Sequence, residues 1–90
     1  MKILISDKFP AEGLQVFEET EGFVVEYQPG LSQEQLLEAV KDADALVVRG
    51  GTQVTEEVFE AARRLKVVGR AGVGTENIDR EAANKKGVVV

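Results

Sequence analysis

The sequence predicts an α/β fold built on a parallel β-sheet. Five apolar, largely β-branched runs begin about 21 residues apart, and each interval between them has the apolar spacing of an amphipathic helix. The runs are continuous rather than alternating, which is typical of strands that are covered on both faces. The five predicted strands lie at residues 3–5, 23–25, 45–48, 67–68 and 88–90.

The first two intervals carry the start and stop signals of helices. Pro10 is suited to the first turn of a helix, and Gly22 is predicted to end that helix. Ser32 is predicted to cap the second helix, because Gln35 follows at the spacing of a capping box. Both intervals therefore predict a helix between two strands.

The last two intervals carry equivalent signals. Thr55 is predicted to cap a third helix, since Glu56 and Glu57 follow it at the positive end of the helix dipole. Asp79 is predicted to begin a fourth helix, and Gly87 is suited to the left-handed residue that ends it. The predicted order is thus strand and helix in strict alternation, ending on the fifth strand.

Right-handed crossovers and short connections arrange these elements as a flavodoxin-like sheet of five parallel strands in the order 2-1-3-4-5. A finished fold of this type has a fifth helix on the face that helix 1 covers, and the 90 residues do not include it. We therefore expect residues 1–90 to form a single truncated domain with part of one sheet face uncovered. Burial of an apolar face of this kind predicts a homodimer.

Composition excludes several classes of function. Eleven basic residues against sixteen acidic ones give a net charge of −5, which argues against nucleic acid and anionic membranes as partners. Cysteine and histidine are absent, which excludes a thiolate metal site and the commonest general base. The first apolar run is too short for a signal peptide or a membrane span, so a cytoplasmic location is predicted.

An anion-binding site is predicted at the carboxyl ends of the strands, where open α/β sheets bind ligands. Arg49 follows the third predicted strand and Arg70 the fourth, and these strands are neighbours in the expected order. Glycines beside both arginines, among them Gly50, let backbone amides approach a carboxylate or phosphate. The alternative interpretation is that Gly50 only forms a turn and that the arginines are solvated.

Two other sites are considered and rejected. Residues 72–77 approach the dinucleotide fingerprint, but Asn77 stands where its third glycine is required, so this chain alone is not expected to bind a dinucleotide. A phosphoacceptor receiver domain needs an aspartate where Arg49 stands, and a cation there opposes Mg²⁺. Asp7 is then interpreted as a turn residue ahead of Pro10. No catalytic set is predicted.

Residues 47–55, 65–79 and 87–90 resemble the D-isomer-specific 2-hydroxyacid dehydrogenases, most specifically through Val-Gly-Arg-Ala-Gly-x-Gly-x-x-Asn-x-Asp from Val68 onward. The resemblance implies the N-terminal part of a substrate-binding domain, without the NAD-binding domain. The parent would be an NAD-dependent oxidoreductase that converts 3-phospho-D-glycerate to 3-phosphohydroxypyruvate in L-serine biosynthesis. The chain alone is expected to bind no cofactor and to be inactive, because the family's catalytic residues lie outside it.

The resemblance also implies roles for individual residues. Arg49 and Arg70 would contact the anionic groups of a 3-phosphoglycerate-like substrate, and the backbone amides of Val73 and Gly74 would hold its carboxylate. Gly50 stands where the family commonly has a serine, so one side-chain donor is lost. Two alternatives stay open, namely a free-standing self-associating module and a weak small-anion-binding module.

Overall fold

The computed structural model describes residues 1–71 and 77–90. These residues form short strands alternating with short helices, as the spacing of the apolar runs predicts. The elements are β1 (Lys2–Ile5), α1 (Ala11–Glu19), β2 (Val24–Tyr27), α2 (Gln33–Ala39) with a 3-10 turn at Val40–Asp42, β3 (Ala45–Val48), α3 (Glu56–Ala61), β4 (Val67–Arg70) and α4 (Arg80–Lys86).

All strand pairs of the sheet are parallel, and the strand order is β2-β1-β3-β4. This confirms the α/β class and the first four positions of the predicted order. The register pairs Ile3 with Ala45 and Ala45 with Val67, so these three side chains share one face. The carboxyl ends of β1, β3 and β4 consequently lie side by side along one edge of the sheet.

The prediction of a five-strand sheet is not matched in the described residues, where the fifth run contributes one isolated parallel bridge between Val67 and Val89. Val89 donates to the carbonyl of Lys66 and accepts from the amide of Val68, which is the hydrogen-bond pair of a single parallel bridge.

Helix ends follow the predicted caps at several positions. The Ser32 hydroxyl accepts from the Gln35 amide at 3.2 Å and the Gln35 side chain accepts from the Ser32 amide at 2.9 Å, which completes the predicted capping box. The Asp79 carboxylate accepts from the Ala82 amide at 3.0 Å. Gly87 ends α4 with φ +73°, a conformation that glycine adopts without a steric penalty.

The predicted end of the first helix was wrong. Helix α1 ends at Glu19 and is capped by Thr20, whereas Gly22 lies in the turn that follows, at φ +86°. Thr20 leaves the helix in an extended conformation while its hydroxyl donates to the Val16 carbonyl at 2.7 Å. A hydroxyl that satisfies a last-turn carbonyl ends the helix without glycine.

The sheet is packed unequally on its two faces. Helices α2, α3 and α4 cover one face, where Leu4, Leu46 and Val68 are at most 1% exposed. On the other face α1 covers a smaller cluster centred on Ile3 and Ile5. Beside that cluster lies an apolar groove of about 250 Å³, lined by Met1, Ile3, Phe17, Phe23, Ala45, Leu46, Val47, Val67 and Gly69. The groove lies on the sheet face that the sequence predicts to be partly uncovered.

Across residues 1–71 and 77–90, none of the helices has the length and apolar character needed to cross a membrane.

Candidate anion-binding site

The β3–α3 loop is anchored by the carboxylate of Asp7, which follows β1. Asp7 Oδ2 accepts from the backbone amide of Arg49 at 2.6 Å and from that of Thr52 at 3.0 Å. A carboxylate that accepts two amides fixes the path of the backbone between them. Asp7 is therefore more than the turn residue of the sequence interpretation. The missed signal was an acidic residue at the end of the strand adjacent to β3.

Gly51 and Gly50 have different steric environments in this loop. A Cβ atom at Gly51 would lie 2.7 Å from Asp7 Oδ1, which is closer than real Cβ atoms come to any neighbour. A Cβ atom at Gly50 would lie 3.6 Å from Arg70 Nη2, an ordinary van der Waals distance. Glycine is therefore required at position 51 by the approach of Asp7, while position 50 has room for a side chain that faces Arg70.

Two hydroxyl groups also join the segment after β1 to the β3–α3 loop. Ser6 Oγ and Thr52 Oγ1 lie 2.9 Å apart, and both residues are buried. Thr52 Oγ1 also donates to the Ser6 carbonyl at 3.4 Å. This buried pair and the Asp7 carboxylate both hold the residues after β1 against the β3–α3 loop.

Asn77 links the loop to the end of β4. Its Nδ2 donates to the carbonyls of Arg49 and Thr52, and its Oδ1 accepts from Arg70 Nε, each at 2.7 Å. Asn77 is only 8% exposed. Its Oδ1 and its Nδ2 both have hydrogen-bond partners within the site. The sequence interpretation placed Asn77 in the family motif and at the missing third glycine of a dinucleotide motif, but gave it no contacts, because its partners lie 7 to 28 positions away.

The structure places both predicted arginines at the same edge of the sheet. Arg70 is half-buried and paired in register with Val48, and its Nη2 lies next to Gly50. Arg49 is exposed, and its Nη1 donates to the Lys8 carbonyl at 3.4 Å. Arg49 is thus directed toward the β1–α1 connection, whereas Arg70 is held by Asn77 with its Nη2 beside Gly50.

A shallow depression of about 280 Å³ opens beside Arg49. It is lined by Asp7, Lys8, Arg49 and Gly51. Two cations and exposed backbone at its rim suit a small anion. The predicted amides of Val73 and Gly74 lie outside the described residues.

The described residues do not fit NAD. The dinucleotide fingerprint needs a glycine at position 77 so that helix and strand pack closely. Asn77 instead fills that place with a buried side chain whose carboxamide is bonded to three other residues. Within residues 1–71 and 77–90 there is likewise no group of three acidic side chains that could hold a metal ion.

Comparison with known proteins places this arrangement in a family. The sequence pattern described as "D-isomer specific 2-hydroxyacid dehydrogenase, catalytic domain" matches residues 3–90. The chain belongs to the D-isomer specific 2-hydroxyacid dehydrogenase family. The resemblance drawn from the sequence is confirmed.

Sequences of relatives within this family align with all or nearly all of the chain. D-3-phosphoglycerate dehydrogenase of Methanocaldococcus jannaschii is 52% identical over 90 residues, which are 100% of this chain and 17% of the relative. D-3-phosphoglycerate dehydrogenase 2, chloroplastic, of Arabidopsis thaliana is 48% identical over 90 residues, which are 99% of this chain and 14% of the relative. The chain thus spans about a sixth of the length of the curated relatives it matches.

The fold is shared with a solved member of the family. The NAD+-bound 3-phosphoglycerate dehydrogenase of Entamoeba histolytica superposes with a TM-score of 0.89 at 31% identity. The match covers 99% of this chain and 32% of that chain. The parallel sheet and its helices therefore match one part of that longer chain.

Proposed function

We propose that this chain is the N-terminal part of the substrate-binding domain of an NAD-dependent oxidoreductase that oxidises 3-phospho-D-glycerate to 3-phosphohydroxypyruvate. The observation that carries the proposal is that two arginines stand at the carboxyl edge of the sheet, Arg49 directly after β3 and Arg70 at the end of β4 beside Gly50. The relatives support the proposal, because the 52% and 48% identical proteins are both named D-3-phosphoglycerate dehydrogenase.

Each site residue has a proposed role toward the substrate. Arg49 and Arg70 bind its anionic groups, since paired guanidinium groups suit a carboxylate or phosphate. The amides of Val73 and Gly74 hold its carboxylate, and Gly50 leaves open the position beside Arg70. NAD and the groups that transfer the proton belong to the rest of the longer polypeptide, so these 90 residues alone are inactive. A cytoplasmic location stays a prediction.

A backbone amide titration tests the substrate site. The ¹⁵N-labelled 90-residue chain is titrated with 3-phosphoglycerate, and resonances of residues 49–52 and 69–75 are expected to shift. Half a cleft makes few contacts, so a dissociation constant near 1 mM is expected, which is about −4 kcal/mol. Dispersed resonances that do not move would contradict the proposed site. An NAD-linked turnover by the 90-residue chain would contradict the proposed inactivity.

Self-association through the open sheet face is the second candidate. Val89 pairs with Val67 next to the apolar groove, and Val89 is 66% exposed although it is a large apolar residue. We propose that a second copy of the chain covers this face. Light scattering at high concentration is expected to give a dimer, and Val89→Lys is expected to give a monomer. A monomer for the unmodified chain would contradict this candidate and leave the substrate site unaffected.

A further inference from the structure

The carboxamide of Asn77 is a junction between the two halves of the proposed anion site. Its oxygen holds the guanidinium of Arg70, the last residue of β4, through Nε. Its nitrogen holds the loop that follows β3, through the carbonyls of Arg49 and Thr52. The link therefore runs from the last residue of β4 to the loop that follows β3. A change at Asn77 therefore reaches both arginine-bearing segments at once.

The chemistry of these three bonds requires a carboxamide. The Nε–H group of Arg70 can only donate, and the two carbonyls can only accept, so the side chain between them must offer one acceptor and two donors. Asparagine offers all three within one planar group. An aspartate of the same shape would keep the bond to Arg70 but would place a carboxylate against two carbonyl oxygens. It would also set a negative charge beside the arginine.

We propose that Asn77 is a positioning residue, which orients the Arg70 guanidinium and locks the β3–α3 loop to it before an anion arrives. This inference rests on the proposed function for the identity of the anion. Pre-organisation of this kind raises affinity, because the ligand does not have to order the side chain when it binds. A bond through Nε also restricts the plane of the guanidinium, whose Nη2 lies beside Gly50.

The test compares the two asparagines of the chain. Asn77→Ala removes the junction, whereas Asn84→Ala removes an exposed asparagine on α4 and serves as the control. Each ¹⁵N-labelled variant is titrated with 3-phosphoglycerate and with inorganic phosphate, and the solvent exchange of the Arg70 Nε–H proton is measured without ligand. Asn77→Asp and Asn84→Asp form a second pair that carries the same added charge at the two positions.

The expected result has two parts. The Arg70 Nε–H proton exchanges slowly in the unmodified chain and in Asn84→Ala, and at least about tenfold faster in Asn77→Ala, because its acceptor is lost. Anion binding weakens about tenfold in Asn77→Ala and in Asn77→Asp, and stays within about twofold in both Asn84 variants. A folded Asn77→Ala chain with unchanged anion affinity and unchanged Nε–H exchange would overturn the inference.

The exchange measurement separates this inference from the proposed function. If the unmodified chain does not bind 3-phosphoglycerate, the proposed substrate site fails, and Nε–H exchange alone decides the role of Asn77. If Asn77→Ala does not fold, Nε–H exchange in the unmodified chain decides the role of Asn77. Slow Nε–H exchange there supports the inference, and exchange as fast as that of an exposed arginine such as Arg63 overturns it.

Discussion

The carboxylate of Asp7 accepts the backbone amide of Arg49 at 2.6 Å, across 42 positions of the sequence. This bond joins the residue that follows β1 to the first residue of the loop that bears one of the proposed substrate ligands. The same carboxylate holds Thr52, so the loop is fixed at both ends by one side chain. The position of Arg49 therefore depends on Asp7 as much as on the strand that precedes it.

Replacement of Asp7 is expected to loosen this loop. Asp7→Ala leaves the amides of Arg49 and Thr52 without their acceptor, which is expected to lower the free energy of unfolding by about 1–3 kcal/mol. Hydrogen exchange of these two amides should accelerate more than that of amides in β1. Glu18→Ala, on the exposed side of α1, is the control. Unchanged exchange at both amides would show that Asp7 does not anchor the loop.

The two glycines of the loop are expected to respond differently to the same substitution. Gly51→Ala brings a methyl group against the Asp7 carboxylate, so it is expected to destabilise the chain and to disturb the resonances of the loop. Gly50→Ala meets only the end of the Arg70 side chain at an ordinary distance and is expected to fold with little loss. Thermal unfolding of the two variants checks this, and equal stabilities would contradict the difference.

A serine at position 50 is expected to strengthen anion binding. Gly50→Ser adds a hydroxyl donor on the side of the loop that faces Arg70, where the resemblance to the family predicts one. Titration with 3-phosphoglycerate should give a dissociation constant about threefold to tenfold lower than that of the unmodified chain. Gly50→Ala is the matched control, since it fills the same space without a donor. Equal affinities of the two variants would exclude a role for the hydroxyl.

Removal of either arginine is expected to weaken anion binding. Arg49→Ala and Arg70→Ala each delete one charge-assisted contact, so about a tenfold rise in the dissociation constant for 3-phosphoglycerate is expected. Arg63→Ala removes one charge from an exposed position after α3 and reports the effect of net charge alone. If all three variants bind equally well, the site is placed wrongly. Calorimetry or an amide titration supplies the measurement.

Acid is expected to weaken the opposite end of the sheet. The backbone amide of Lys2 donates to the Asp44 carboxylate at 2.8 Å and lowers the pKa of that carboxyl group below its ordinary value. A lowered pKa in the folded state stabilises the chain above the carboxyl's unfolded pKa of about 4, and this contribution is lost as the pH falls through the folded value. Urea unfolding at pH 7 and pH 3 measures the loss.

A substitution isolates the contribution of this carboxyl group. Asp44→Asn is expected to lower stability at pH 7 and to reduce the difference between pH 7 and pH 3. Glu18→Gln, at an exposed position on α1, should leave that difference unchanged. An Asp44→Asn chain with the same pH dependence as the unmodified protein would contradict the assignment.

Local sequence signals predicted the elements of the sheet and most helix ends. The capping box of Ser32 and the left-handed Gly87 follow from hydrogen-bonding groups and backbone freedom within a few residues of each other. The order of four strands follows from the handedness and shortness of the connections. Gly22 shows where this reasoning failed, because Thr20 formed a competing local hydrogen bond that ended α1 earlier.

The sequence by itself determined that Arg49 and Arg70 reach one edge, since each stands at the carboxyl end of a strand and the strands are adjacent. Only the tertiary structure decided how that edge is held. Asp7 and Asn77 act on loop groups that lie 25 to 45 positions away, and no local periodicity or spacing encodes such contacts. They exist because folding brings the ends of β1, β3 and β4 together, where the buried donors and acceptors of the loops must be paired.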